Sequence, residues 1–147
     1  VSMIAWLSSD SIIWAAPFLA AVAVASADTL ASEFGVLDPR VRMIISGKHV
    51  AAGTNGGTSP TGQLAAAAGS LLISFLGCIL FTTFGVGFDV DIVRVFFVIS
   101  LMGWTGCQVD SILGAIFENR GLMTKGQVNM VSIAFGAAAT YLFLSLV

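Results

Sequence analysis

Four long apolar runs, separated by short polar intervals, set the plan of the chain: Ser11 to about Phe34, Gly62 to about Phe84, Ile92 to about Phe117, and Gln127 to Val147. Each is close to the roughly 20 residues that an α-helix needs to cross a hydrocarbon core about 30 Å thick. The pattern predicts an all-α, polytopic transmembrane helix bundle of four spans, forming one domain over residues 1–147. Pro17 stands early in the first run, where a missing backbone donor costs least, and Gly35 is a natural stop. The second run has a small-residue face, Ala65, Ala66, Gly69 and Ser70, suited to close helix packing. Residues 1–10, with Trp6, Ser8, Ser9 and Asp10, read as an interfacial lead-in or the end of an earlier helix. The chain opens on Val1 rather than methionine and further spans follow the first. The expectation is therefore a fragment, a processed form or a subunit of a larger bundle, and not a cleaved signal peptide.

Composition agrees with the pattern. The chain is 57% hydrophobic and 10% charged, against about 25% charged residues in soluble domains, and its mean hydropathy is +0.98. These values describe an integral membrane protein. A net charge of −2 without a basic patch argues against nucleic-acid binding. Cys78 and Cys107 fall inside apolar runs and read as small buried hydrophobes, and the single histidine, His49, excludes a zinc or haem site built from His and Cys. Arg40, Arg42, Lys48, Arg120 and Lys125 lie in the loops after the first and third runs. The link Gly85 to Asp91 carries Asp89 and Asp91, with only Arg94 at its edge. By the positive-inside rule the two basic loops face the cytoplasm.

Candidate chemistry gathers at that cytoplasmic end. Asp28 lies about two turns before the end of the first span, Asp110 about two turns before the end of the third, and Asn129 just inside the start of the fourth. Asp28 and Ser32 share a helix face, as do Asp110 and Gly114, because residues four apart are neighbours. The triplets Asp28-Thr29-Leu30 and Asp110-Ser111-Ile112 echo one another. Between the first two spans, Gly53, Thr54, Asn55, Gly56, Gly57, Thr58 and Ser59 form a small-residue run whose amides suit an anion. No Gly-Lys-Ser/Thr follows, so it is not a Walker A loop. Intramembrane carboxylates beside an anion-cradling loop suggest Mg²⁺ and phosphate. Asp28, Asp110 and Glu33 would supply the metal oxygens, and Arg40, Lys48 and the loop amides would neutralise charge. The residues alone also allow blander roles. The aspartates would then hydrogen-bond across the bundle, the loop would be turn chemistry, Glu33 would be solvated, and the basic side chains would be membrane anchors.

The combination ASADTLASEFG, Pro39-Arg40, GTNGGTSPTGQLAAAAGS, DSILGA and Asn129 resembles an integral membrane family that includes the chloroplast phytyl-phosphate kinases and many archaeal and bacterial relatives. It is more distantly similar to phytol and dolichol kinases and to phosphatidate cytidylyltransferases. The resemblance implies phosphoryl transfer from a nucleoside triphosphate, CTP as co-substrate with Mg²⁺, to a prenyl monophosphate of the phytyl or geranylgeranyl type. It places Asp28, Thr29, Ser32, Glu33, Arg40, Gly53, Thr54, Asn55, Gly56, Gly57, Ser59, Asp110, Ser111 and Asn129 near nucleotide, metal and phosphate. The expected partners are a prenyl-phosphate lipid, the nucleotide, membrane lipid, and a second copy or an additional membrane subunit. Alternatives are a prenol kinase or cytidylyltransferase, a small-solute or ion transporter with a re-entrant glycine loop, and a structural subunit.

Overall fold

The computed structural model describes residues 11–85 and 90–146; the lead-in at 1–10 and Asp89 lie outside the described residues. Among the described residues, four helices are long and apolar enough to cross a membrane: α1 (Ile12–Gly35), α2 (Pro60–Thr83), α3 (Ile92–Ile116) and α4 (Lys125–Ser145). A 3-10 turn, Glu118–Arg120, follows α3. Between α1 and α2 the chain also forms a small antiparallel hairpin that the apolar pattern did not predict, β1 (Arg42–Met43) with β2 (Gly57–Thr58), pairing Arg42 with Thr58 and Met43 with Gly57.

Caps move two helix starts. The Ser59 hydroxyl accepts from the Gly62 amide at 3.1 Å and Pro60 occupies the first turn, so α2 begins two residues before Gly62. Thr124 and Gln127 form a reciprocal capping box, which starts α4 at Lys125 instead of Gln127. The second shift fixes Lys125 on a helix.

Helix α1 is the hub and packs against each of the other three. Its inward stripe of Ile12, Ala16, Ala20 and Ala23 joins Val95 and Ile99 of α3 and Leu144 of α4 in the main core. Small residues set the spacing. Val24 fills the space where a Cβ on Gly106 or Gly136 would stand, so larger side chains there would push α3 and α4 off α1. Ser70 donates to the Ser100 carbonyl at 2.6 Å, tying α2 to α3 inside the bundle. Outward faces remain apolar, as at Leu72, Phe75 and Phe97, which is the arrangement a lipid solvent favours.

Candidate functional site

At the hairpin end of the bundle, a cavity of about 120 Å³ opens between α1, α3 and the loop. Helical periodicity delivers Asp28 and Ser32 from α1 and Asp110, Ser111 and Gly114 from α3 to its wall. The loop residues Gly53 to Ser59 close the opposite side, joined by Glu118 and Lys125. Gly56 is the contact point of that loop. Its φ is +77°, and a Cβ there would meet Ala115 Cα and the Ser111 carbonyl at 2.8 Å, so no other residue lets the loop lie this close to α3.

The two aspartates meet through a cation. Lys125 Nζ lies 2.7 Å from Asp110 Oδ1 and 3.6 Å from Asp28 Oδ2. Ser132 of α4 donates to the other Asp110 oxygen at 2.9 Å. The Asp110 side chain is 3% exposed and that of Asp28 is 19% exposed, so the cavity reaches Asp28 more freely. With Asp28, Asp110, Glu118 and Lys125 all ionised, the lining carries a formal excess of two negative charges. Such a field favours a divalent cation or a cationic group.

Other expected residues do not join this group. Glu33 is exposed and outside the lining; five residues beyond Asp28, it is turned roughly 140° around the helix. Among the described residues no three His, Cys, Asp or Glu side chains gather tightly enough to hold a metal, so the expected three-carboxylate set does not assemble. The pair Asp28 and Asp110 still matches Mg²⁺ bound through one or two carboxylates and substrate phosphates. Thr29 is exposed, with its carbonyl accepting from Ser32 Oγ at 2.9 Å. Lys48 is exposed on the hairpin and absent from the cavity wall. Asn129 is likewise absent from the lining, and its side-chain oxygen is buried without a hydrogen-bond partner among the described residues.

Arg40 is directed elsewhere, by a residue that the sequence reading passed over. Its Nε and Nη2 donate to Asp38 at 2.9 and 3.0 Å, and Asp38 also accepts from the Thr61 hydroxyl at 2.8 Å and amide at 3.2 Å. The Arg40 guanidinium, with help from Thr61, holds the Asp38 carboxyl well below the usual carboxylate range. This cluster locks the turn after α1 onto the start of α2. Its available signal was an aspartate directly before Pro39, which favours a local Asx turn. Asn55, expected at phosphate, donates instead to Glu118 at 3.0 Å, and its carbonyl accepts from Asn119 at 2.9 Å. Glu118 and Asn119 therefore position the loop.

The family described as "Integral membrane protein DUF92" matches residues 1–137. The chain belongs to this family. A relative described as an uncharacterized membrane protein, from Methanocaldococcus jannaschii, is 32% identical over 120 residues, covering 81% of this chain and 47% of its own. "Protein PGR" of Arabidopsis thaliana is 40% identical over 104 residues, covering 67% of this chain and 36% of its own. This DUF92 chain thus spans less than half the length of either relative. No solved structure matches it.

Proposed function

We propose that this DUF92 protein is a membrane-embedded, Mg²⁺-dependent kinase that transfers a phosphoryl group from a nucleoside triphosphate, CTP by preference, to a prenyl monophosphate. The reading rests on one observation: Asp28 and Asp110, from two different helices, share a polar cavity with the Gly53 to Gly57 loop. Phosphoryl transfer asks for positioning and charge neutralisation rather than covalent help from the protein. Asp28 and Asp110 are the residues that would hold Mg²⁺, which when bound supplies positive charge to phosphate oxygens. The Thr54 and Gly57 amides are engaged within the loop, with the carbonyls of Ala51 and Thr54. Among the described residues the amides of Gly53, Asn55 and Gly56 have no backbone partner, which leaves them for an anion. The cavity is below the roughly 300–1,000 Å³ that encloses a drug-sized ligand. It suits phosphate groups, with the nucleoside lying outside. The basic residues of the hairpin loop support a cytoplasmic position for this end.

The test is incubation of detergent-purified protein with Mg²⁺, each nucleoside triphosphate in turn, and labelled geranylgeranyl monophosphate. Diphosphate product formed by native protein and lost in Asp28→Asn is the expected result. A second reading draws on the satisfied Lys125–Asp110–Ser132 set, which is also how a purely structural polar tie looks. Under that reading Asp110→Asn weakens the bundle, and no nucleotide binds at all.

A further inference from the structure

A second pocket, of about 520 Å³, lies on the other side of the loop wall. Arg40, Arg42 and His49 line it together with Thr58, Pro60 and Gln63. Thr58, Ser59 and Gln63 also line the acidic cavity, so the two spaces are back to back across one strand and one helix turn. Their charges are opposite. Asp38 balances one arginine, leaving at least one excess positive charge around the second pocket.

Its donors are built in. Asp38 holds Arg40 through Nε and Nη2, so the guanidinium is fixed while Nη1 remains free of that pair. Arg42 Nη1 donates to the Gly47 carbonyl at 2.9 Å, which leaves its other nitrogens available. Thr58 Oγ1 accepts from Gln63 Nε2 at 2.7 Å, so its own proton is free to be donated. Fixed guanidinium groups beside a hydroxyl donor form a phosphate-type recognition set.

Below the pocket the surface turns apolar. Pro60, Leu64, Ala68, Leu71 and Phe75 follow one face of α2 at helical spacing. Leu64 is 74% exposed, and Leu71 and Phe75 are exposed beneath it. A molecule with its anionic head at Arg42 and Pro60 has an apolar track directly under it.

We propose that the Arg40–Arg42–His49 pocket is the seat of a phosphomonoester-headed membrane lipid, whose chain runs down the outer face of α2 from Leu64. That this lipid is the phosphoryl acceptor rests on the kinase reading; the binding itself does not. Transfer needs the acceptor oxygen within about 3.5 Å of the phosphorus, so on that reading the two phosphates meet at the rim of the wall made by Thr58, Ser59 and Gln63 and not through it.

The experiment measures binding of geranylgeranyl monophosphate to the purified chain in nanodiscs, with inorganic phosphate as a competitor and Mg²⁺·CTP binding read in parallel. Arg42→Gln combined with His49→Gln is expected to weaken lipid binding at least tenfold while leaving Mg²⁺·CTP binding unchanged. Leu64→Asn should weaken the lipid severalfold without altering competition by phosphate, and Arg42→Lys, which keeps the charge but loses the guanidinium geometry, should fall between the native protein and the double variant. Native-like lipid affinity in a folded double variant overturns the proposal, as does free phosphate competing as well as the intact lipid. Loss of lipid binding in Asp110→Asn but not in the double variant also overturns it, by moving the lipid to the acidic cavity. Lipid binding with no nucleotide binding supports this site and removes the kinase reading.

Discussion

Asp28 and Asp110 occupy equivalent places in two similar helices, yet the bundle treats them differently. Asp110 is buried, and both its oxygens are satisfied, by Lys125 and Ser132. Asp28 faces the cavity and meets Lys125 only at 3.6 Å. One carboxylate therefore carries a structural load that the other does not, because a buried polar group costs free energy unless its partners are present. The difference separates stability from chemistry at a single site. Asp28 is the more accessible of the two to a ligand in the cavity, whereas Asp110 also ties α3 to α4.

Substitutions can break that contrast. The largest loss of stability is expected from Asp110→Ala, about 1–3 kcal/mol from the lost Ser132 hydrogen bond and the lost short ion pair with Lys125, with the Ser132 hydroxyl keeping the Asn129 carbonyl as its acceptor; thermal unfolding in detergent measures it. Asp28→Asn should cost less than about 1 kcal/mol, since its ion pair is long and partly solvated, while abolishing transfer in the product assay. Equal destabilisation by the two changes would erase the distinction. Lys125→Gln leaves the two carboxylates facing one another without their cation, so its melting temperature should rise with millimolar Mg²⁺ more than that of the native protein does. An identical Mg²⁺ response would count against the pair as a divalent-cation site.

The finest comparison is with Asp38, a second buried carboxylate, in the loop instead of a span. Its folded pKa is depressed by Arg40, so the unfolded chain takes up a proton first as pH falls. The stability that Asp38 contributes is full above the ordinary carboxylate pKa of about 3.9 and lost below it. Unfolding followed from pH 7 to pH 3 should show this loss only at the acidic end. Asp38→Asn should remove that acid-end component and leave the neutral region flat.

Several features were legible because they depend only on local periodicity. Runs of about 20 apolar residues have few alternatives to a membrane helix, and spacing of four brings Ser32 beside Asp28 and Gly114 beside Asp110. The same periodicity should have set Glu33 apart from Asp28, and the structure does so. Lys125 was hidden because its role depends on where α4 starts and on which helix packs beside it. Its sequence neighbours read as a polar link, and only the Thr124 cap carries it into the bundle. Asp38 was hidden for a related reason, since its partner Thr61 lies 23 positions away.

From the sequence alone followed the membrane class, the four helices, the small-residue faces and the two carboxylates near one end, all properties of composition and short-range repeat. Tertiary structure alone decided that Lys125 sits between those carboxylates, that Gly56 presses the loop onto α3, and that Arg40 and Arg42 face a different pocket. Side-chain direction at a loop or helix end is set by contacts between segments distant in sequence. No local pattern encodes those contacts, and they exist only once the helices have packed.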